Sequence, residues 1–403
     1  MTSRLFGAAL VLGLLSAIGP FAIDMYLPAL PTIKASLHTD VDMVQMSLMA
    51  FFVSLGIGQL VYGPLSDMVG RKLPIYFGLV VFALGSIGCA LAPDIHTLIA
   101  FRFIQGLGAC AGMVVPRAIV RDMHTGHQAA QLMSLLMLVF SVSPILAPLT
   151  GSLVIRLANW RGIFWTVTGA AVFGLILAST VLKETRPREL RVDSNVRTAL
   201  AAYGTLFKDR HFLGLVFICS FGVASFFAYL ANSSFILIDH YGLSPTLYSV
   251  AFSINAVSFI GAAQFTGKLG ARYGLARLVR TAVVGYAVTM LTLLLLNVAG
   301  IHQLGVLMAL LFIGYGFLGL VIPSTAVLAL EEHGKIAGTA SALLGTMQFV
   351  TGACVIAVIG RFLDGTALPM VAGIAACSVV ALVLAQTTLR HKRYAVAEAA
   401  SVD

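Results

Sequence analysis

Gly63-Pro-Leu-Ser-Asp67-Met-Val-Gly70-Arg71-Lys72 recurs in degenerate form as Gly267-Lys-Leu-Gly-Ala271-Arg272-Tyr273-Gly274, about half a chain length further on. Each copy follows an apolar run, near 43 to 65 and near 246 to 269. Such runs are long enough to cross a hydrocarbon core of about 30 Å as helix. Moving outward from the two copies, polar or turn-forming breaks mark further spans at 5 to 27, 73 to 92, 95 to 118, 130 to 154 and 161 to 182, then at 212 to 238, 278 to 298, 305 to 329, 337 to 360 and 368 to 389. The pattern predicts an all-α polytopic membrane protein. Twelve transmembrane helices fall into two six-helix, pseudo-symmetric bundles, 1 to 182 and 212 to 389, joined by a polar cytoplasmic linker at 183 to 211 and followed by a cytoplasmic tail at 390 to 403.

Composition agrees with lipid as the solvent. The chain is 59% hydrophobic and 10% charged, where soluble domains run at about 45 to 50% and about 25%. The first run follows Met1-Thr2-Ser3-Arg4, but it is too long for a signal peptide, contains Asp24 and lacks a small-residue cleavage site, so it is expected to stay as the first helix. With the even number of spans, both termini share a side. Placing that side in the cytoplasm leaves Lys34, Arg156, Arg161 and Arg361 outside, Arg102 within a span and Arg117 near the end of one, and every other basic residue inside. This follows the positive-inside rule and turns the net charge of +9 into a record of orientation rather than a sign of nucleic-acid binding. The basic linker either attracts anionic lipid heads or is a solvated connector.

Several chemistries are disfavoured. The five cysteines lie in apolar runs without paired spacing and are expected to be free thiols. His124 and His127 have ligand-like spacing, yet no third ligand stands near, so no metal is expected. No Walker loop occurs, so ATP drive would need another subunit, and no cofactor is expected. No nucleophile and base are clustered, so the chain is not expected to be an enzyme.

Asp24 and Arg102 are the carboxylate and the base placed well inside apolar runs. Counted from the neighbouring breaks, both lie about 10 to 12 Å deep. Burying either ion alone is costly, and embedded ionisable residues mark transport pathways. Two readings stand. In one, Arg102 keeps Asp24 ionised until separation or substrate lets it take a proton; in the other, the two form a structural ion pair between spans 1 and 4. Gln105 shares a helix face with Arg102. Pro144 and Pro148, followed by Gly151, bend span 5 and free backbone carbonyls. In the loop, Gly63 and Gly70 suit a tight turn, Arg71 adjoins the turn, and Asp67 is expected to pair with Arg121 as a cytoplasmic latch; Arg117 is expected to snorkel to the same face. Tyr26, Gln105, Phe227, Tyr229 and Asn232 are candidate lining residues of a substrate cavity.

With these residues assembled, the chain resembles the major facilitator superfamily over nearly its whole length. Gly63 to Lys72 is similar to that family's loop signature, with Met68 in place of a basic residue. Arg102-Phe-Ile-Gln105-Gly106-Leu-Gly108 resembles the span 4 pattern of its proton antiporters, and Ser143-Pro144 to Gly151 resembles the antiporter motif with Ser143 for the usual glycine. Asp24 to Pro31, Ser143 to Pro148 and Lys183 to Pro187 resemble the bicyclomycin and chloramphenicol resistance (Bcr/CflA) branch. The resemblance implies rocker-switch alternating access and proton-driven export of small amphipathic drugs from a bacterial inner membrane by a monomer. It also implies that Asp24 and Arg102 act in proton and substrate binding. A second acid present in some relatives falls near Ser16 and is absent, leaving Asp24 as the principal titrating group. The other readings to be weighed are an exporter or facilitator of an endogenous metabolite and a membrane sensor that transports nothing.

Overall fold

A computed structural model describes residues 3–123, 126–187, 189–191 and 196–389. His124 and the tail at 390 to 403 lie outside the described residues. The described chain is helical throughout, with no strand. Its helices are α1 (Ser3–Asp24), α2 (Leu30–Ser36), α3 (Val41–Val69), α4 (Lys72–Leu91), α5 (Ile95–Met123), α6 (Gly126–Leu157), α7 (Arg161–Val181), α8 (Val196–Lys208), α9 (Arg210–Ser234), α10 (Pro245–Ala263), α11 (Thr266–Tyr273), α12 (Leu275–Val298), α13 (Leu304–Glu331), α14 (Ala337–Gly360) and α15 (Leu368–Thr388). Among the described residues, 11 helical stretches are long and apolar enough to cross a membrane, and Val142–Leu157 within α6 is a shorter apolar stretch. The five cysteines are free, with Cys354 exposed and the others buried.

Three boundaries differ from the sequence reading, each for a local reason. The first span does not stop at residue 27; after α1 ends at Asp24 the chain makes a 3-10 turn over Leu27–Ala29 and continues as α2 to Ser36. Pro28 and Pro31 sit at the first positions of these segments, where a missing N–H leaves no intrahelical bond unmade. The Gly63 to Lys72 loop is much shorter than expected, because α3 runs through Gly63 to Val69 and the chain reverses at Gly70, with φ +98°. Gly274 does the same after α11, with φ +80°, so the repeat preserves the turn itself. Within the linker, Val196–Lys208 forms an amphipathic helix with Leu206 fully buried and Leu200 and Phe207 exposed.

The described contacts divide into two compact units, Met1–Ala201 with Ser233–Ser253, and Ala202–Asn232 with Ile254–Asp403. In the first unit α5 packs on α3 and α4, α4 on α7, and α1 on α6. At Gly106 the backbones of α5 and α3 touch: an added Cβ would collide with Ser54 Oγ and reach the Phe51 carbonyl oxygen at 2.6 Å. In the second unit α12 packs on α13 and α15.

The loop end of the first unit is tied by ionic contacts centred on Arg71. Its Nη1 lies 2.9 Å from Asp67 Oδ1, its Nε lies 2.6 Å from Asp122 Oδ2, and Nη1 also donates to Ser66 Oγ at 2.7 Å. Asp67 is therefore paired with Arg71, and further with Arg186 at 3.5 Å. The expected Asp67–Arg121 pair does not form, because Arg71 lies one turn beyond Asp67 and the α5 end presents Asp122 to it. The start of the linker completes the tie. Glu184 Oε1 accepts from the Arg71 amide at 2.9 Å and Oε2 from the Lys72 amide at 3.3 Å, so one carboxylate caps the N-terminus of α4. Thr185 Oγ1 donates to Asp122 Oδ2 at 3.3 Å, and Arg186 Nε donates to the Asp67 carbonyl at 2.9 Å. Gly70 is required twice, by its φ and by the 2.6 Å from an added Cβ to Glu184 Oε2. Partial burial alone would raise the Glu184 carboxyl, but the donating amides of Arg71, Arg186 and Lys72 and the Arg191 charge hold it below the ordinary value of 4.5.

Two outcomes follow for the purified protein. Gly106→Ala is expected to lower stability by about 1 to 3 kcal/mol through overpacking, whereas Gly63→Ala, which meets nothing within 4 Å, changes it little; thermal unfolding of the two variants side by side checks this. The contribution of Glu184 is fully present above the ordinary glutamate value and is lost as the pH falls through its lowered folded value. Glu184→Gln should therefore lower the melting temperature at pH 7 and flatten its decline on acidification, as a pH series of melts would show.

Candidate functional site

Arg102 is fully buried in α5. Its charge is held by three rings: the guanidinium carbon lies 4.3 Å from the Phe51 ring centre, 4.5 Å from that of Tyr26 and 5.9 Å from that of Phe164. A weakly hydrated planar cation suits such faces better than an ammonium would. Nη1 donates to Gln105 Oε1 at 2.6 Å and to the Ala22 carbonyl at 3.3 Å. Gln105 Nε2 in turn donates to Ser86 Oγ at 2.8 Å, which fixes the amide with its oxygen toward the arginine. Tyr26 is fixed by Ser47, their hydroxyls being 2.8 Å apart. Nε and Nη2 of Arg102 have no partner among the described residues. The cation is thus positioned on every side yet keeps two donors unspent, a state that favours an arriving anion or acceptor.

Asp24 is the last residue of α1 and 5% exposed, and among the described residues its carboxylate makes no hydrogen bond or ion pair. The structural ion pair with Arg102 is not formed. Arg102 instead reaches the Ala22 carbonyl on the same turn as Asp24, while its remaining faces are filled by rings and Gln105. The position of Asp24 is fixed from the next residue: Gly151 of α6 packs so closely that an added Cβ would collide with the Met25 carbonyl. Gly151 closes the proline-bearing stretch of α6, in which Pro144 and Pro148 lie inside the helix. Two carbonyls of that stretch accept serine hydroxyls of α10, Pro148 from Ser249 at 2.8 Å and Ile145 from Ser253 at 3.0 Å.

The structure therefore gathers Tyr26, Gln105 and Arg102 at one place, beside the helix end that carries Asp24. Phe227, Tyr229 and Asn232 lie on α9 in the second unit. There Phe227 stacks on Phe349 with centroids 5.5 Å apart, Tyr229 accepts from Asn255 Nδ2 at 3.0 Å, and Asn232 Nδ2 donates to the Ala228 carbonyl of its own helix at 2.8 Å. Asp67, Gly70 and Arg71 belong to the loop network, with Gly63 in the body of α3 and Arg121 exposed beside Asp122. Phe51, Phe164, Ser47 and Ser86 were not legible as site residues. A phenylalanine or serine in an apolar run carries no mark separating a cation-facing ring or fixing hydroxyl from ordinary helix packing. No group of three or more histidine, cysteine or acidic side chains stands together as a metal site among the described residues.

The Major Facilitator Superfamily profile matches residues 12–357. The chain is 40% identical over 365 residues, 90% of each chain, to the uncharacterized MFS-type transporter YdgK of Bacillus subtilis. It is 30% identical over 376 residues, 93% of this chain and 94% of the other, to the bicyclomycin resistance protein homolog of Haemophilus influenzae. The crystal structure of a D-xylose–proton symporter shares the fold with a TM-score of 0.74 at 15% identity, covering 96% of this chain and 97% of that one. A buried arginine and carboxylate within long apolar helices, a repeated glycine turn and a family match over most of the chain lead to one conclusion: this protein belongs to the major facilitator superfamily.

Proposed function

We propose that this chain is a proton-coupled exporter of small amphipathic drugs or antibiotics, working by alternating access as a monomer in a bacterial inner membrane. The observation that carries the reading is the buried Arg102, with two donors unspent among the described residues, bonded to the Ala22 carbonyl in the last turn of the helix that ends at Asp24. The similarity to a protein named for bicyclomycin resistance gives the substrate class. The proton gradient is the energy source and no cofactor takes part. An inward proton supplies about 2.3 kcal/mol per 100 mV and about 1.4 kcal/mol per pH unit, enough to move an uncharged or singly charged molecule uphill.

In this mechanism Asp24 takes a proton from the outer side, the two bundles at 1 to 182 and 212 to 389 rock about the linker, and substrate entering from the cytoplasm or inner leaflet expels that proton inward. Arg102 supplies the field that makes the ionised carboxylate favourable as the two groups approach. The Arg71 network, with Asp67, Asp122 and Glu184, closes the cytoplasmic end, an orientation that the positive-inside distribution of basic residues supports.

In proteoliposomes with an imposed pH gradient, Asp24→Asn is expected to abolish proton-driven drug movement while leaving drug binding measurable. Undiminished driven uptake in that variant would remove Asp24 from the coupling step. Arg102→Lys keeps the charge but loses the planar contact with three rings, and driven transport should fall by about tenfold or more; equal rates for lysine and arginine would show that charge alone suffices.

A further inference from the structure

The aromatic site around Arg102 has an uncharged counterpart in the second half, visible in the packing although the sequences differ there. In the first half Gly106 brings α5 onto the Phe51 carbonyl of α3, and Arg102 lies one turn before that contact. In the second half Gly319 brings α13 onto the Phe259 carbonyl of α10, and Tyr315 lies one turn before it. One turn before Phe51 stands Ser47, bonded to the Tyr26 hydroxyl at 2.8 Å; one turn before Phe259 stands Asn255, whose Nδ2 donates to the Tyr229 hydroxyl at 3.0 Å. Arg102 covers the Tyr26 ring at 4.5 Å, and the Tyr315 ring lies 5.5 Å from that of Tyr229. Tyr26, Ser47 and Arg102 thus correspond to Tyr229, Asn255 and Tyr315. The frame is repeated and the cation is replaced by a phenol.

The second cluster also has unspent polar groups. Tyr229, Asn255 and Tyr315 are each no more than 1% exposed, yet Asn255 Oδ1 and the Tyr315 hydroxyl have no partner among the described residues. Reversing the Asn255 amide does not remove the deficit, since its oxygen would then meet Tyr229 and its nitrogen would be left over. Phe226 closes the cluster, edge-on to Tyr315 at 5.7 Å and stacked on Phe259 at 5.9 Å. Such a site offers a ligand ring faces, one amide edge and one hydroxyl, with no charged member to balance an ion.

We propose that Asn255 and Tyr315 form an uncharged subsite that binds a hydroxyl or amide group of the exported molecule. The proposal rests on the efflux reading and adds the chemistry of an uncharged group of the substrate. It is tested with the full chain in lipid nanodiscs and two probes: chloramphenicol, uncharged and rich in hydroxyl and amide groups, and tetraphenylphosphonium, an aromatic cation without hydrogen-bonding groups. Tyr315→Phe removes one oxygen and keeps the ring; Asn255→Leu removes the amide at similar volume. Each variant should bind chloramphenicol about 5- to 30-fold more weakly and tetraphenylphosphonium as the unaltered protein does. Equal weakening for both probes, or unchanged chloramphenicol affinity, would overturn the subsite and leave the efflux reading standing. Unaltered protein that binds neither probe would overturn the efflux reading, and the subsite with it.

Discussion

A guanidinium enclosed by apolar helices must be held without water, and much of the first unit is arranged around that requirement. An isolated ion at such depth costs several kcal/mol even after relaxation. Here three ring faces, one carbonyl and one side-chain amide share the load around Arg102. None of these partners is placed by chance. Phe51 lies where Gly106 lets two backbones touch, Tyr26 is pinned by Ser47, and Gln105 is oriented by Ser86. Removing any support leaves either an ion without stabilisation or a ring free to turn away, so the small residues of α3 and α5 matter to the site as much as the charged one.

The loop network solves the opposite problem, that of charges at a helix end where water is near. Arg71 joins Asp67 of α3 to Asp122 of α5, and Glu184 of the linker caps α4. Three helix ends and the linker therefore meet in one set of mutually satisfied groups. Surface ion pairs taken singly contribute little, but a carboxylate that accepts two helix amides while its neighbours bind the adjoining helices couples the linker to the turn at Gly70. Any motion that separates the linker from that turn must break several of these contacts together.

Much of this was legible in the sequence, and the limits have physical causes. Long apolar runs report helices that cross lipid because the bilayer imposes a length, and a buried Asp24 or Arg102 stands out because its cost is high. The repeated loop identified two halves through its glycine turn, although the glycine that matters is Gly70 and not Gly63, which composition cannot distinguish. The Asp67 partner was misread because sequence separation does not show which of two adjacent residues, Arg121 or Asp122, faces inward at a helix end. Helix α8 was missed because a short amphipathic stretch among charges has the composition of a loop. The rings around Arg102 were invisible because their neighbours in the chain are as apolar as they are.

The repeated frame explains how the two halves diverged in chemistry without diverging in packing. In each half a glycine, Gly106 or Gly319, brings one helix onto the carbonyl of a phenylalanine, Phe51 or Phe259, and the residue one turn earlier occupies a ring-lined position. Arginine there demands acceptors and ring faces; tyrosine demands only a modest partner for one hydroxyl. A second buried guanidinium would add another desolvation penalty and, in a medium of low dielectric, a repulsion acting over long distances. One charged and one uncharged version of the frame avoid both costs.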